Sequence, residues 1–98
     1  MQTKTLYTVY GTVGEYEDTH SWTVMAFEEL DDARAMQRVL EAQAEQALVQ
    51  FNALGLAKYE TPNDDFKPVS DDTNFHMYFD TVPEYSIDKI LLFVKKGG

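Results

Sequence analysis

The sequence predicts an α+β domain in β-β-α-β order, a small antiparallel sheet with one long helix packed across one face. Three observations carry this prediction. Residues 4–13 and 20–27 are rich in β-branched and aromatic side chains and are joined by a short polar stretch. An apolar stripe at helical spacing runs from Met36 to Leu54. The run Ile90-Leu-Leu-Phe-Val near the C-terminus reads as a closing strand.

Each element has its own justification. In the first strand, 4–13, the sequence Lys-Thr-Leu-Tyr-Thr-Val-Tyr-Gly-Thr-Val favours a pleated, half-buried surface. Gly11 and Gly14 bracket the turn that follows, and a bulge is expected at one of them. In the second strand, 20–27, Trp22, Val24 and Ala26 alternate with Thr23, Met25 and Phe27, and the two strands should pair antiparallel. Met36, Leu40, Ala44, Ala47, Phe51 and Leu54 then form one face of a helix whose other face is Gln, Glu and Arg. Asp31 is the expected N-cap, Asp32 sits in the first turn where the helix dipole favours negative charge, and Gly55 is the expected C′ residue. A helix of roughly 23 residues is about 34 Å long, enough to cross a small sheet.

Residues 56–74 hold Pro62, Pro68 and several Asp, and read as an ordered loop anchored by Tyr59, Phe66 and Val69. The segment 71–80 fits either a short helix, with Phe75, Tyr78 and Phe79 at i, i+3, i+4, or a strand. The last strand is expected at 85–95, with 95–98 a frayed tail. Its core, 90–94, is apolar on both faces, and such strands are normally buried on both. One helix covers one face only. The other face needs the 56–83 segment or a second copy, and a homodimer is therefore expected.

Composition narrows the function classes. The 98 residues suffice for one domain, 1–98. Leu, Ile, Val and Phe account for 24 of them, above the level at which disorder is expected. Seventeen acids against eight bases give a net charge of −9, which disfavours direct contact with nucleic acid or an anionic membrane. The absence of cysteine removes disulfides, thiolate metal sites and cysteine nucleophiles. No apolar run is long enough to span a bilayer, and residues 1–5 lack a signal-peptide pattern, so a cytoplasmic setting is expected.

The chemistry-bearing residues are mostly carboxylates at element ends. Glu15, Glu17 and Asp18 lie in the hairpin turn, Glu28, Glu29, Asp31 and Asp32 before the helix, and Glu60, Asp64, Asp65, Asp71 and Asp72 in the long loop. Such runs read either as solvated, helix-capping charge or as a surface that imitates the phosphate rows of a nucleic acid and fills a basic groove. Antiparallel pairing splits the hairpin and pre-helix groups into two poles, roughly 27 Å apart at strand rise. Tyr16, flanked by acids in the turn, is the aromatic residue expected to be exposed and a candidate anchor for a protein partner; the remaining tyrosines are expected in the core. The candidate partner-binding set is thus Glu15, Tyr16, Glu17, Asp18, Glu28, Glu29, Asp31 and Asp32.

Metal, cofactor and catalytic patterns are weak. No stretch has EF-hand spacing, and His20 and His76 form no zinc motif, so neither a metal nor a cofactor is expected. His20 and Ser21 are neighbours in a strand and point to opposite faces, which prevents a nucleophile–base pair. Asp18, His20 and Trp22 alternate and offer an acid–His pair without a nucleophile. No phosphate-binding loop or nucleophile elbow occurs. A small metal-dependent or hydrolytic enzyme is the least favoured class, and no catalytic residue is assigned.

The opening segment, Tyr7-Thr-Val-Tyr-Gly-Thr-Val-Gly-Glu-Tyr-Glu-Asp-Thr-His-Ser-Trp-Thr-Val-Met-Ala-Phe with Ala33-Arg34, resembles a group of small bacteriophage-encoded proteins. Those proteins open with a strand, a Gly-Glu-Tyr-Ser-Asp-type turn, a second strand ending in Phe and an Ala-rich helix. Gly14, Glu15, Tyr16 and Asp18 match the turn, and Glu17 replaces the Ser; the stretch from Glu84 to Ile90 is similar to the group's closing segment. The resemblance covers about a third of the chain and implies a phage or prophage origin, with no catalytic residues carried over. With the charge, it leads to an expected function: a non-enzymatic acidic binding protein directed at a basic partner, as an antagonist of a CRISPR or restriction system would be. The alternative is a homo-oligomeric structural or accessory phage domain.

Overall fold

The computed structural model describes residues 2–94, and the expected frayed tail at 95–98 lies outside them. Strand β1 is Gln2–Val13, β2 is His20–Phe27, helix α1 is Leu30–Ala53 and β3 is Glu84–Val94. The sheet order is β2-β1-β3, with both pairings antiparallel. This is the expected α+β architecture. The segment 71–80 is neither helix nor strand; it is a run of turns with one isolated bridge, Tyr78 to Thr81. The hairpin bulge falls between Val9 and Tyr10, opposite Val24, and not at a glycine. It brings Val24 and Phe27 onto the helix side with the core.

The helix forms on strong helix formers with one apolar stripe, and the alanines of that stripe allow close approach to the sheet. Ala33, Leu40, Ala44, Ala47 and Phe51 are buried, with Met36 half-buried beside them. Leu54, expected to close the stripe, is exposed because it is the C-cap and lies past the last packed turn. The N-cap is Glu29, without a side-chain cap bond. Asp31 and Asp32 both fall in the first turn, so Asp31 stabilises the helix through the dipole and not as its cap. Gly55 adopts φ +65° as the expected C′ residue.

The core is Val9, Ala33, Leu40, Ala44 and Tyr85, flanked by Tyr7, Val24, Phe27, Met36, Phe75, Val82 and Ile87. Leu40 and Val9 are fully enclosed, and Leu40→Ala would cost on the order of 3 kcal/mol. The 56–83 segment joins this same side. Phe75 and Val82 pack against the core, and Phe66 meets Phe51 edge-on at 5.9 Å. It therefore does not cover the opposite sheet face. Of its expected anchors, Phe66 is half-buried, while Tyr59 and Val69 point to solvent.

The closing strand is the main departure from expectation. Ile90, Leu91, Leu92 and Phe93 were expected to be buried on both faces, yet their exposures are 39%, 59%, 47% and 69%. The register explains this. β2 ends with Phe27 opposite Tyr7, so residues 2–6 of β1 pair only with 90–94 of β3. That two-stranded ribbon overhangs the helix. The molecule is 58 Å long, while 24 helical residues span about 36 Å.

Candidate functional site

The hairpin turn is shaped by Gly14. Its φ is +108°, and a Cβ there would lie 2.2 Å from the Asp18 carbonyl oxygen. The chain then makes one 3-10 turn, Tyr16–Asp18, closed by the Asp18 N–H donating to the Glu15 carbonyl at 3.0 Å. Glu15, Tyr16, Glu17 and Asp18 all face solvent, and Tyr16 is 94% exposed, as its acidic flanks suggested.

Helix α1 runs back along the sheet, so its C-terminus and the following loop return to this hairpin. Together they form a cleft of about 490 Å³ lined by Glu15, Tyr59, Glu60, Tyr78, Phe79 and Asp80. The Tyr78 hydroxyl donates to Asp18 Oδ2 at 3.1 Å and fastens the loop to the turn. That hydrogen bond, followed by slight burial and the charges of Asp18 and Glu15, holds the Tyr78 phenol above its ordinary pKa. Phe79 stacks edge-on with both Tyr59 and Tyr78, at 4.9 and 4.8 Å. Lys58 Nζ sits 5.0 Å from the Tyr59 ring centre.

Three residues at this end, Tyr16, Tyr59 and Phe79, have left-handed backbones at φ 52°, 66° and 51°. Among the described residues they are the only non-glycines with positive φ. Bulky residues in this region cost of order 1–3 kcal/mol each, and such strain concentrates at functional sites.

The structure gathers only half of the sequence-derived candidates. Glu15, Tyr16, Glu17 and Asp18 lie together and are joined by Glu60 and Asp80. Glu28, Glu29, Asp31 and Asp32 lie at the other end of β2, eight residues away, or roughly 27 Å. There Glu28 pairs with Lys4, an exposed ion pair of small energetic weight.

One acid of the loop has a different role. Asp72 is buried. Its carboxylate accepts from Trp22 Nε1 at 2.9 Å, from the Tyr85 hydroxyl at 2.8 Å and from the Asn74 N–H at 3.0 Å. It ties the loop to an edge strand on each side of β1. Gly11 lies between those strands, where a Cβ would come within 2.9 Å of the Trp22 ring and 3.0 Å of Tyr85. Burial, and next the bond to Asp72, push the Tyr85 phenol well above its ordinary pKa. Asp71, its neighbour, is exposed. Sequence reading placed both among loop acids; the available signal was that a buried Trp N–H and Tyr O–H need an acceptor.

The acid–His pair suggested by Asp18 and His20 is not assembled, since Asp18 is taken by Tyr78. His20 instead lies edge-on to His76 at 6.1 Å, and His76 leans on Trp22 at 4.9 Å. Ser21 bonds to Thr12 and not to either imidazole. Among the described residues, no three His, Asp or Glu side chains converge as a metal-ligand set, and no helix is long and apolar enough to cross a membrane. In comparisons with protein-family models, curated proteins and solved structures, nothing matches this chain.

Proposed function

We propose that the protein is a non-enzymatic, phage-derived acidic binding protein of the bacterial cytoplasm. In this reading it presents the hairpin-tip carboxylates to a basic surface on a protein partner and works as a homodimer. The observation that carries it is the cleft lined by Glu15, Glu60 and Asp80 and walled by Tyr59, Tyr78 and Phe79, with Asp18 bonded to Tyr78 and Glu17 exposed in the adjoining turn. Carboxylates there attract cationic side chains, and the exposed ring of Tyr16 can take one by cation–π contact, as Lys58 already does on Tyr59.

The partner class favoured is a nucleic-acid-handling defence system, CRISPR or restriction. The two acidic poles span roughly 27 Å at strand rise. That span corresponds to about eight phosphates of one DNA strand. The second reading, a homo-oligomeric accessory domain, is favoured by the exposed apolar residues 90–93.

The test is binding of an oligo-arginine peptide across a salt titration. Glu15, Glu17 and Asp18 are reversed to Lys in one variant, and Glu41, Glu45 and Asp64 in a second of equal net charge. The hairpin variant should keep its fold and lose only about 1 kcal/mol, since Glu15 and Glu17 are exposed charges and Asp18 contributes one exposed hydrogen bond from Tyr78. It should lose roughly tenfold or more in affinity, about 1.4 kcal/mol, and show a flattened salt slope. The matched variant should stay near the parent. Equal losses in both variants would mean that the hairpin acids act only through bulk charge.

A further inference from the structure

The two edges of the sheet differ in how they are protected. β2 is short, carries His20, Ser21 and Thr23, and is bulged at Val24. Charge, brevity and bulges are the usual means of blunting an edge. β3 is 11 residues long, and only its first half is defended. Pro83, Glu84, Asp88 and Lys89 flank that half, and Gln37 Nε2 already donates to the Tyr85 carbonyl at 2.8 Å. From Ile90 onward the strand holds no charge, proline or bulge, and among the described residues no strand pairs with its outer edge.

We infer that two copies of this chain join through β3, edge to edge and antiparallel about a two-fold axis at Leu91, to make one six-stranded sheet. This rests on the homodimer reading above and gives it a geometry. A two-fold that continues the sheet keeps both helices on the same side, so each residue faces one of like parity. Registers centred on Asp88 or Lys89 would set like charges directly opposite. Centring on Leu91 places Ile90 opposite Leu92 of the partner subunit, and the reverse, which makes the contact isologous.

Residues 90–93 are 39–69% exposed, and a further strand along their outer edge would cover the flanks of these side chains and pair the open backbone between them. A two-stranded ribbon such as 2–6 with 90–94 is also marginal alone and gains from further pairing.

Light scattering and cysteine cross-linking on the full chain test this together, since the chain has no cysteine of its own. The parent should have twice the 11.2 kDa chain mass. Leu91→Cys should form a covalent dimer on oxidation. Met25→Cys, also exposed on the β2 edge, should not. Leu91→Lys should halve the mass with an unchanged circular dichroism spectrum. A doubled mass without cross-linking at position 91, or with equal cross-linking at 25, overturns the β3 geometry and leaves the homodimer standing. A parent at the single-chain mass overturns both.

Discussion

The two ends of this sheet solve opposite problems with the same central strand. At the hairpin end, β1 finishes among polar groups: Gly14 turns the chain, Tyr78 bonds to Asp18, and Asp72 collects the donors of Trp22, Tyr85 and Asn74. At the other end β1 and β3 continue past the helix with Ile90, Leu91, Leu92 and Phe93 in solvent. One end is internally satisfied and strongly charged. The other is apolar and internally incomplete. A surface of the first kind attracts a cationic partner at long range, and one of the second kind needs a close, shape-matched one.

The largest break is expected at Asp72. Asp72→Ala leaves the Trp22 N–H, the Tyr85 O–H and the Asn74 N–H without their acceptor, at a cost of about 3 kcal/mol by urea denaturation. Asp72→Asn, which keeps an acceptor oxygen, should cost less. Glu17→Ala in the solvent-exposed turn should stay within about 0.5 kcal/mol. If Asp72→Ala were equally mild, the polar end would not be held together from within.

A smaller effect sharpens the same contrast through pH. The Tyr85 phenol has a raised pKa in the folded chain, so its stabilising contribution is complete below the ordinary value of 10.0. As pH rises past that value the unfolded chain loses its proton first, and stability falls. Tyr85→Phe should flatten this alkaline decline in denaturation curves followed at increasing pH. Tyr78→Phe should act in the same direction, since its phenol is raised as well.

Much of this was legible in the residues. The helical stripe around Leu40, Ala44, Ala47 and Phe51, the strand 20–27, and the placement of two acidic poles all follow from periodicity and antiparallel pairing. The segment 71–80 was not legible, because its aromatics sit on turns stabilised by tertiary contacts such as Tyr78 with Asp18, and no local period describes them. The separation of Asp72 from Asp71 was hidden for the same reason. Composition cannot show which of two adjacent carboxylates faces a tryptophan 50 residues away. The exposure of 90–93 ran against the usual rule for doubly apolar strands, because β2 stops at Phe27 and the helix does not reach the overhang.

On the proposed reading the two ends act independently, the hairpin end on a cationic partner and the ribbon end on a second copy. The most direct measurement is the particle mass by light scattering during a salt titration, with oligo-arginine peptide present and its binding followed in parallel. Charge-driven binding fades as salt rises, whereas apolar pairing persists. Peptide should be lost while the protein stays at twice 11.2 kDa throughout. A mass that falls to that of one chain as the peptide leaves would contradict it, because the two ends would then be parts of a single charge-held assembly.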